Sequence, residues 1–231
     1  MKQVGVLVAG GVLAVGLGAS GARAADNPGI VPIDANAQGR SYRELSAAWR
    51  KWAFETPAPE SALLDTTGAN CSKRQTDSIW FLAGTIAGGT VVRTCTVPAD
   101  TYLFFPLANH VYGAFLTDPD QQRTEAFARS QTACILGAQI AADIDGVPVS
   151  NPAQYLVQSP LFTVQLPPNN AYGITTSDAP ALTLDPAVDR GFYLFLTPLP
   201  PGRHTIHFAS APGSSCATAQ DVTYDLTVAP R

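Results

Sequence analysis

The sequence predicts a mostly β protein: a single antiparallel β-sandwich, jelly-roll or immunoglobulin-like, that carries two α-helices. Three observations favour this fold class. Short apolar runs recur between clusters of Pro, Gly, Asn and Asp, only two segments have helical periodicity, and residues 221–228 alternate between apolar and polar side chains. Without an expected signal segment the chain keeps about 207 residues, enough for one sizeable core. We therefore expect residues 41–231 to form one domain.

The first 24 residues have the organisation of a secretory signal peptide. Lys2 precedes an apolar run over 4–17, and small residues end at Ala22-Arg23-Ala24. The run of about fourteen residues is shorter than the roughly twenty that a membrane-spanning helix needs. We expect cleavage after residue 24, no stable membrane span afterwards, and a secreted or periplasmic protein; an uncleaved anchor is the alternative. Residues 25–40 are rich in turn formers and predict an extended N-terminal arm.

The segment from Ser41 to Pro57 predicts the first helix. Ser41 and Glu44 have the spacing of a capping box, and Pro57 is expected to end the helix. Apolar residues, with Trp49 and Trp52 among them, recur at intervals of three and four and form one stripe. Two interpretations of the stripe stay open, namely packing on a sheet or an aromatic platform for a ligand.

The next apolar segments predict a three-stranded antiparallel meander, with strands at 79–86, 90–97 and 101–107. The first and third runs are apolar on both alternations, so both faces of these strands are expected to be covered. A second helix is predicted to begin with Asp118 as its N-cap and Pro119 at its first helical position, and to end near residue 137.

The last part of the chain returns to strands. Asp145-Gly146 is typical of a tight hairpin turn, residues 168–190 predict a long loop, and 203–209 are expected to pair with 221–228. Because successive side chains of a strand point to opposite faces, His204 and His207 are expected to face apart and not to chelate one ion. Four further acidic residues are interpreted mostly as turn formers: Asp143, Asp145, Asp185 and Asp189.

Four cysteines in an exported chain are expected to form two disulfides, for which three connectivities exist. We favour Cys71–Cys95, which flanks one β-unit, and Cys134–Cys216, which can join a helix to a late loop. Closing the first loop of 24 positions contributes about 3 kcal/mol in the chain-entropy model. The scattered spacing is unlike that of a zinc site, and we predict neither a metal nor a cofactor.

Charge and motif content exclude several function classes. Loss of Lys2 and Arg23 leaves 12 basic against 18 acidic residues, a net charge of −6, so a nucleic-acid partner is not expected. The sequence has no G-x-S-x-G, no H-E-x-x-H, no P-loop and no G-x-G-x-x-G followed by a helix. These absences favour a non-catalytic protein without excluding an enzyme, since a pair of carboxylates leaves no motif.

Two polar segments beside the apolar strands supply the candidate site residues. Asp65 and Asn70 lie in the segment 63–71, and Asn109 and His110 lie in the segment 107–113, where His110 falls just past a buried strand. A histidine with a nearby carboxylate could serve as a general base, so Asp65 and His110 are the catalytic candidates. The alternative is that the polar residues satisfy backbone groups of turns. The binding candidates are Asn70, Asn109, Trp49, Trp52 and Trp80.

Several sequence blocks resemble an uncharacterised family of exported bacterial proteins. They are "LSAAWRKW", "LLDTTGANC", "IWFLAG", "CTVPADTYLFFPLAN", "DGVPV", "YLVQSPLFTVQLP", "LPPGRHTIHF" and "DVTYDLTV", spread over about residues 41–229. The resemblance implies no activity, cofactor or catalytic residue. We therefore expect a non-catalytic binding module for a small molecule, a glycan or an envelope protein. The alternatives are a secreted hydrolase or lyase that uses a carboxylate and a histidine, and a purely structural role.

Overall fold

A computed structural model describes residues 27, 29–75, 78–177, 181–211, 216 and 219–230. The expected signal peptide, 1–24, lies outside these residues. The α-helices are α1 Tyr42–Glu55 and α2 Glu125–Gln131, and 3-10 turns cover Ala58–Glu60, Asp120–Arg123, Ala133–Gly137 and Pro152–Tyr155. The strands are β1 Ile79–Phe81, β2 Gly89–Val97, β3 Tyr102–Phe115, β4 Gln139–Ile144, β5 Val147–Pro148, β6 Leu156–Gln158, β7 Phe162–Gln165, β8 Thr183–Leu196, β9 Gly202–Ala211 and β10 Gln220–Val228.

The strands form two sheets that share one core. The first has the order β1-β3-β8-β6, with β7 also paired to β8, and the second has the order β2-β10-β9-β4-β5. Phe105 of the first sheet and Phe208 of the second pack with ring centroids 5.2 Å apart. The prediction of a mostly β fold with two α-helices is confirmed. The antiparallel part needs correction, because β1 pairs with β3 and β2 pairs with β10 in parallel.

The predicted three-stranded meander is wrong. β1 lies parallel to β3, with Ile79 opposite Tyr102, and β2 crosses to the second sheet, where Cys95 lies opposite Leu226. The burial of the strands explains the separation. All three residues of β1 are buried, whereas β2 alternates between exposed and buried positions and therefore needs a sheet with one wet face. The expectation that both faces of the first and third runs are covered agrees with this burial.

Helix α1 packs on the first sheet as the sequence predicted. Ser41 is the N-cap of the helix and forms a capping box with Glu44. The Glu44 carboxylate accepts a hydrogen bond from the Ser41 backbone N–H, and the Ser41 hydroxyl accepts one from the Glu44 backbone N–H. The buried stripe includes Leu45 and Trp49, and Tyr42 donates a hydrogen bond of 2.7 Å to the Val31 carbonyl. The stripe therefore serves mainly to attach the helix to the sheet.

The second helix does not begin at Asp118. The Asp118 carboxylate accepts a bond of 2.8 Å from Phe115 N–H and closes a turn, and the following segment is divided into a 3-10 turn, α2 and another 3-10 turn. Thr124 has extended backbone angles and caps α2 by accepting from Phe127 N–H at 3.3 Å. A capping residue inside the periodic segment thus shortens the helix to Glu125–Gln131.

The residues before α1 contact the first sheet. Ile30 forms a bridge with Leu196, and Val31 N–H donates to the Phe195 carbonyl at 2.8 Å. Both Ile30 and Val31 belong to the buried core. This part of the N-terminal segment therefore extends the sheet edge.

Several further predictions are confirmed and one is corrected. Asp145 and Gly146 both have positive φ, 52° and 76°, in the turn between β4 and β5, and β9 pairs with β10 in the predicted antiparallel hairpin. Both favoured disulfides, Cys71–Cys95 and Cys134–Cys216, are present. The predicted loop over 168–190 is too long, because β8 already begins at Thr183. Neither α-helix in the described part of the chain has the length and apolar composition of a transmembrane segment.

Candidate functional site

A cleft of about 360 Å³ opens between α1, β3, the segment 84–86 and the loop that carries Tyr172. Its volume lies at the lower end of the range of ligand pockets, about 300–1,000 Å³, and its wall has both polar and apolar residues. Its lining residues are Trp49, Arg50, Leu63, Gly84, Thr85, Ile86, Pro106, Ala108, Asn109, His110, Val111, Ile135, Tyr172, Ser210, Cys216 and Gln220.

The cleft lining includes Arg50, which belongs to a buried ion pair with Asp189. Arg50 of α1 donates from Nε and Nη2 to Asp189 Oδ1 of β8, at 2.9 and 2.7 Å. The other carboxylate oxygen accepts a bond of 2.6 Å from the Tyr193 hydroxyl. Burial raises the pKa of Asp189, and the guanidinium and the Tyr193 hydroxyl oppose this rise. The prediction that Asp189 is a turn residue is wrong, because its side chain is fully buried in a strand and neutralises Arg50.

Asn109 connects the ion pair to the cleft. Its Nδ2 donates to the Tyr193 hydroxyl at 2.7 Å and lies 3.5 Å from Asp189 Oδ1. Gly191 faces Asn109 across the β3–β8 pair, and a Cβ atom at position 191 would overlap Asn109 Cβ and the Ala108 carbonyl. The glycine therefore allows the two strands to approach closely where the site residues lie.

His110 follows Asn109 on β3 and lines the same cleft. Burial lowers the pKa of His110, and the Arg50 guanidinium lowers it further. Its imidazole is therefore neutral near pH 7, and no side chain of the described residues forms a hydrogen bond with it. A neutral imidazole has one N–H donor and one nitrogen acceptor, so it can donate a hydrogen bond to a bound molecule or accept one from it.

The opposite wall of the cleft is fixed by Gln220 at the start of β10. Its Oε1 accepts from Thr85 N–H at 2.9 Å, and its Nε2 donates to the Leu107 carbonyl at 2.9 Å. One side chain of the second sheet thus holds both the segment 84–86 and strand β3 of the first sheet. The cleft wall is preformed in this structure.

Asp65 and Asn70 lie together and are not among the residues that line the cleft. The Asp65 carboxylate accepts from the Thr67 and Asn70 N–H groups, each at 2.8 Å. Burial raises the pKa of Asp65, but these hydrogen bonds outweigh it and the pKa is lowered. Asn70 Nδ2 donates to the Pro59 carbonyl at 3.1 Å. These contacts organise the loop that precedes Cys71.

The three tryptophans occupy different surroundings. Trp49 lines the cleft, is only 1% exposed and donates from Nε1 to the Leu82 carbonyl at 2.9 Å. Trp52 donates to the Lys73 carbonyl at 3.2 Å and packs near Phe81. Trp80 borders a separate groove beside Pro98 and Ala99. Trp49 is thus the one predicted tryptophan that the structure brings next to Asn109 and His110.

Sequence reasoning did not find a second buried cation, Arg93 of β2. Its side chain is fully buried, and Nε donates to the Asp65 carbonyl at 2.8 Å. Nη1 donates to the Ala83 carbonyl and, at 2.8 Å, to the Tyr224 hydroxyl, and Nη2 donates to the Gly84 carbonyl at 3.0 Å. Arg93 therefore ties two irregular segments to the second sheet. Its position in an alternating strand, on the buried face, was the available signal.

His204 and His207 point to opposite faces of β9, as expected. His204 Nδ1 contacts Asp145 Oδ2 at 2.8 Å. On the other face, His207 lies between two carboxylates, with Nδ1 2.8 Å from Asp143 and Nε2 2.9 Å from Asp221. Both ring nitrogens can donate to these carboxylates only when the imidazole is protonated.

The hydrogen bond to Asp143 is the main cause that raises the pKa of His207, and the hydrogen bond to Asp221 raises it further. Protonated His207 therefore stabilises the folded state. This contribution is complete below the pKa that the histidine has in the unfolded chain, about 6.5, and is lost as the pH rises through its pKa in the folded protein. We expect the wild-type protein to have a higher free energy of unfolding than His207→Gln. The difference should be largest at about pH 6 and smaller at higher pH. Urea unfolding at several pH values measures this difference. An Asp143→Asn control should lower the His207 pKa in an NMR titration, and a pH-independent difference would contradict the assignment.

The chain matches no protein-family model, and no curated protein matches it at a significant level. Two solved structures show a distant likeness. One is the cysteine protease inhibitor EhICP2 from Entamoeba histolytica, with 12% identity over 65% of this chain and 95% of that chain, at a TM-score of 0.24. The other is PbICP-C in complex with falcipain-2, with 12% identity over 65% of this chain and 98% of that chain, at a TM-score of 0.27. At these scores no conclusion about this chain follows from them.

Proposed function

We propose that the protein is an exported, non-catalytic binding protein that takes a small polar organic molecule into the cleft beside Arg50. The main support for the proposal is the preformed cleft of about 360 Å³. Asn109, His110 and Thr85 line it together with Arg50, whose guanidinium is held by Asp189. A small number of fixed polar groups in a concave, partly apolar wall is the usual organisation of a ligand site. Rigid walls also reduce the ordering cost of binding.

The charges of the site indicate the class of ligand. Asp189 already neutralises Arg50, so the cleft does not offer a free positive charge for a phosphate or a sulfate. His110 is neutral near pH 7 because its pKa is lowered by burial and by Arg50. A compact molecule with hydroxyl, carbonyl or amide groups fits these donors and acceptors. Glycan stacking is less favoured, because Trp49 is almost fully buried and presents no open ring face.

Export is part of the proposal. The first 24 residues have the order of charge, apolar run and small residues that characterises a signal peptide. Both disulfides form within the described residues, which is typical of proteins in an oxidising compartment. A secreted or periplasmic location is consistent with both observations, and the mass of the mature protein tests the cleavage after residue 24.

A thermal-shift screen with neutral hydroxy compounds, amides, amino acids and monosaccharides tests the cleft. At a ligand concentration of about 100 Kd, binding stabilises by about 2.7 kcal/mol, which raises the Tm by roughly 5–10 °C for a chain of this size. We expect one chemical class to give a saturable shift that His110→Ala removes. The matched control is His207→Ala, which alters a half-buried histidine on the other sheet and should keep the shift. A panel without any saturable shift, or a shift that His110→Ala retains, contradicts the proposal.

The hydrolase or lyase hypothesis receives no supporting contact. Asp65 uses its carboxylate oxygens on Thr67 and Asn70, and it is not part of the lining that contains His110. Among the described residues no carboxylate is bonded to His110. That hypothesis stays a prediction from the sequence, and measurable turnover that depends on His110 would restore it.

A further inference from the structure

His110, Cys134 and Cys216 bring three metal-ligating atoms together at the edge of the cleft. One imidazole nitrogen and the two sulfur atoms lie within 4.8 Å of one another. The two sulfurs are joined as a disulfide in this structure. We infer that reduction of this disulfide converts the three side chains into a binding site for a thiophilic d10 cation, with Zn²⁺ as the representative ion.

The chemistry of the ligands explains why reduction is needed. A disulfide sulfur carries no negative charge, whereas two thiolates and an imidazole form one of the ligand sets that zinc accepts, with a fourth position open. Zn–S bonds of about 2.3 Å and Zn–N bonds of about 2.0 Å place tetrahedral ligand atoms roughly 3.5–3.8 Å apart. The present separations, all within 4.8 Å, need only small side-chain movements to reach this geometry.

The reaction has a simple balance. A dithiol reductant, such as a thiol-disulfide oxidoreductase or a small dithiol, breaks the S–S bond and is itself oxidised to a disulfide. Cys134 and Cys216 together gain two electrons and two protons, and both protons leave when the thiolates bind the cation.

Burial makes the reduction selective. Cys71 and Cys95 are only 8% and 2% exposed, whereas Cys134 and Cys216 are both half-buried. Because thiol-disulfide exchange needs direct access to a sulfur, a limited amount of dithiol is expected to open Cys134–Cys216 first. The Cys71–Cys95 bond then remains to stabilise the fold.

The experiment compares oxidised and selectively reduced protein. Zn²⁺ alone is titrated against a chromophoric chelator, and Co²⁺ replaces it to reveal thiolate charge-transfer absorption. We expect about one Zn²⁺ per reduced chain and none per oxidised chain. Removal of a group that only hydrogen-bonds a metal-binding side chain typically lowers metal affinity about 10–100-fold. His110→Ala removes a metal-binding side chain itself and should therefore weaken Zn²⁺ binding by at least about 100-fold. His207→Ala is the matched control and should bind as wild type does.

Three results would overturn the inference. The first is a reduced, folded chain that binds no Zn²⁺, and the second is equal affinity of reduced wild type and His110→Ala. The third is unchanged binding by the double variant Cys134→Ser/Cys216→Ser, which has no thiolates at this place. Near-UV circular dichroism reports whether the reduced chain is folded; a loss of signal that Zn²⁺ does not restore also counts against it. No cleft ligand is present in this experiment, so its outcome is independent of the proposed function.

Discussion

Replacing Asp189 with Asn is expected to lower the free energy of unfolding by about 3–5 kcal/mol, the range measured when one partner of a buried pair is removed. The Asp189 side chain is fully buried and accepts both bonds from Arg50 and one from Tyr193. An amide of the same shape removes the charge that neutralises the guanidinium and places an N–H₂ group where an acceptor is required. Arg50 would then stay buried without a counter-charge.

Urea unfolding followed by tryptophan fluorescence measures the loss. The control is Asp225→Asn, which alters an exposed aspartate of β10 and should change the unfolding free energy by less than about 0.5 kcal/mol. The double variant Arg50→Met/Asp189→Leu should recover much of the loss, because an apolar pair can replace a buried ion pair at little cost. A loss below about 1 kcal/mol for Asp189→Asn would show that the pair is hydrated and not buried.

Local sequence patterns predicted local structure well. The capping box of Ser41 and Glu44 gave the start of α1, Asp145-Gly146 gave the β4–β5 turn, and both disulfides formed as favoured. Each of these features depends on residues within one short segment or on a choice among three connectivities. The sequence also predicted β-rich character with two helices, because the periods of the apolar residues differ between strands and helices.

Strand partners could not be predicted in the same way. β1 and β2 are close in sequence, and Gly88-Gly89 at the start of β2 has the composition of a turn, so a hairpin was the natural expectation. The two strands instead belong to different sheets, and each has a parallel partner from elsewhere in the chain. The choice of strand partner depends on which sheet faces are buried in the complete fold. The alternation of residues in a single strand shows only whether one or both of its own faces are buried.

The candidate site was predicted in part. Asn109 and His110 line the cleft together with Trp49, whereas Asp65 and Asn70 organise a loop elsewhere. Arg50 was missed because it lies beside the apolar stripe of a helix, where a charged residue is usually solvated. Asp189 was missed because its surroundings are rich in turn formers, although tertiary packing makes this segment a strand. Long-range charge pairing of this kind leaves no spacing signature in the sequence.

Arg93→Met is expected to lower the free energy of unfolding by about 3 kcal/mol or more. The guanidinium satisfies the carbonyl groups of Asp65 and Gly84, and methionine has a similar shape but cannot donate. Each buried acceptor left without a partner costs about 1–3 kcal/mol, and removal of the buried charge returns only part of this loss. The Ala83 carbonyl is less affected, because the Tyr224 hydroxyl also donates to it.

The comparison with Arg203→Met separates this cost from a general effect of losing an arginine. Arg203 lies on β9 of the same sheet but is exposed, so its replacement should stay within about 0.5 kcal/mol of wild type. Arg93→Lys adds a second comparison. Lysine keeps the positive charge, but its single ammonium group lacks the planar fork of donors and cannot reach all the carbonyl acceptors, so this variant should lose nearly as much stability as Arg93→Met. If Arg93→Lys were as stable as wild type, the charge near Tyr224, and not the fork of hydrogen bonds to the carbonyls, would be the stabilising feature.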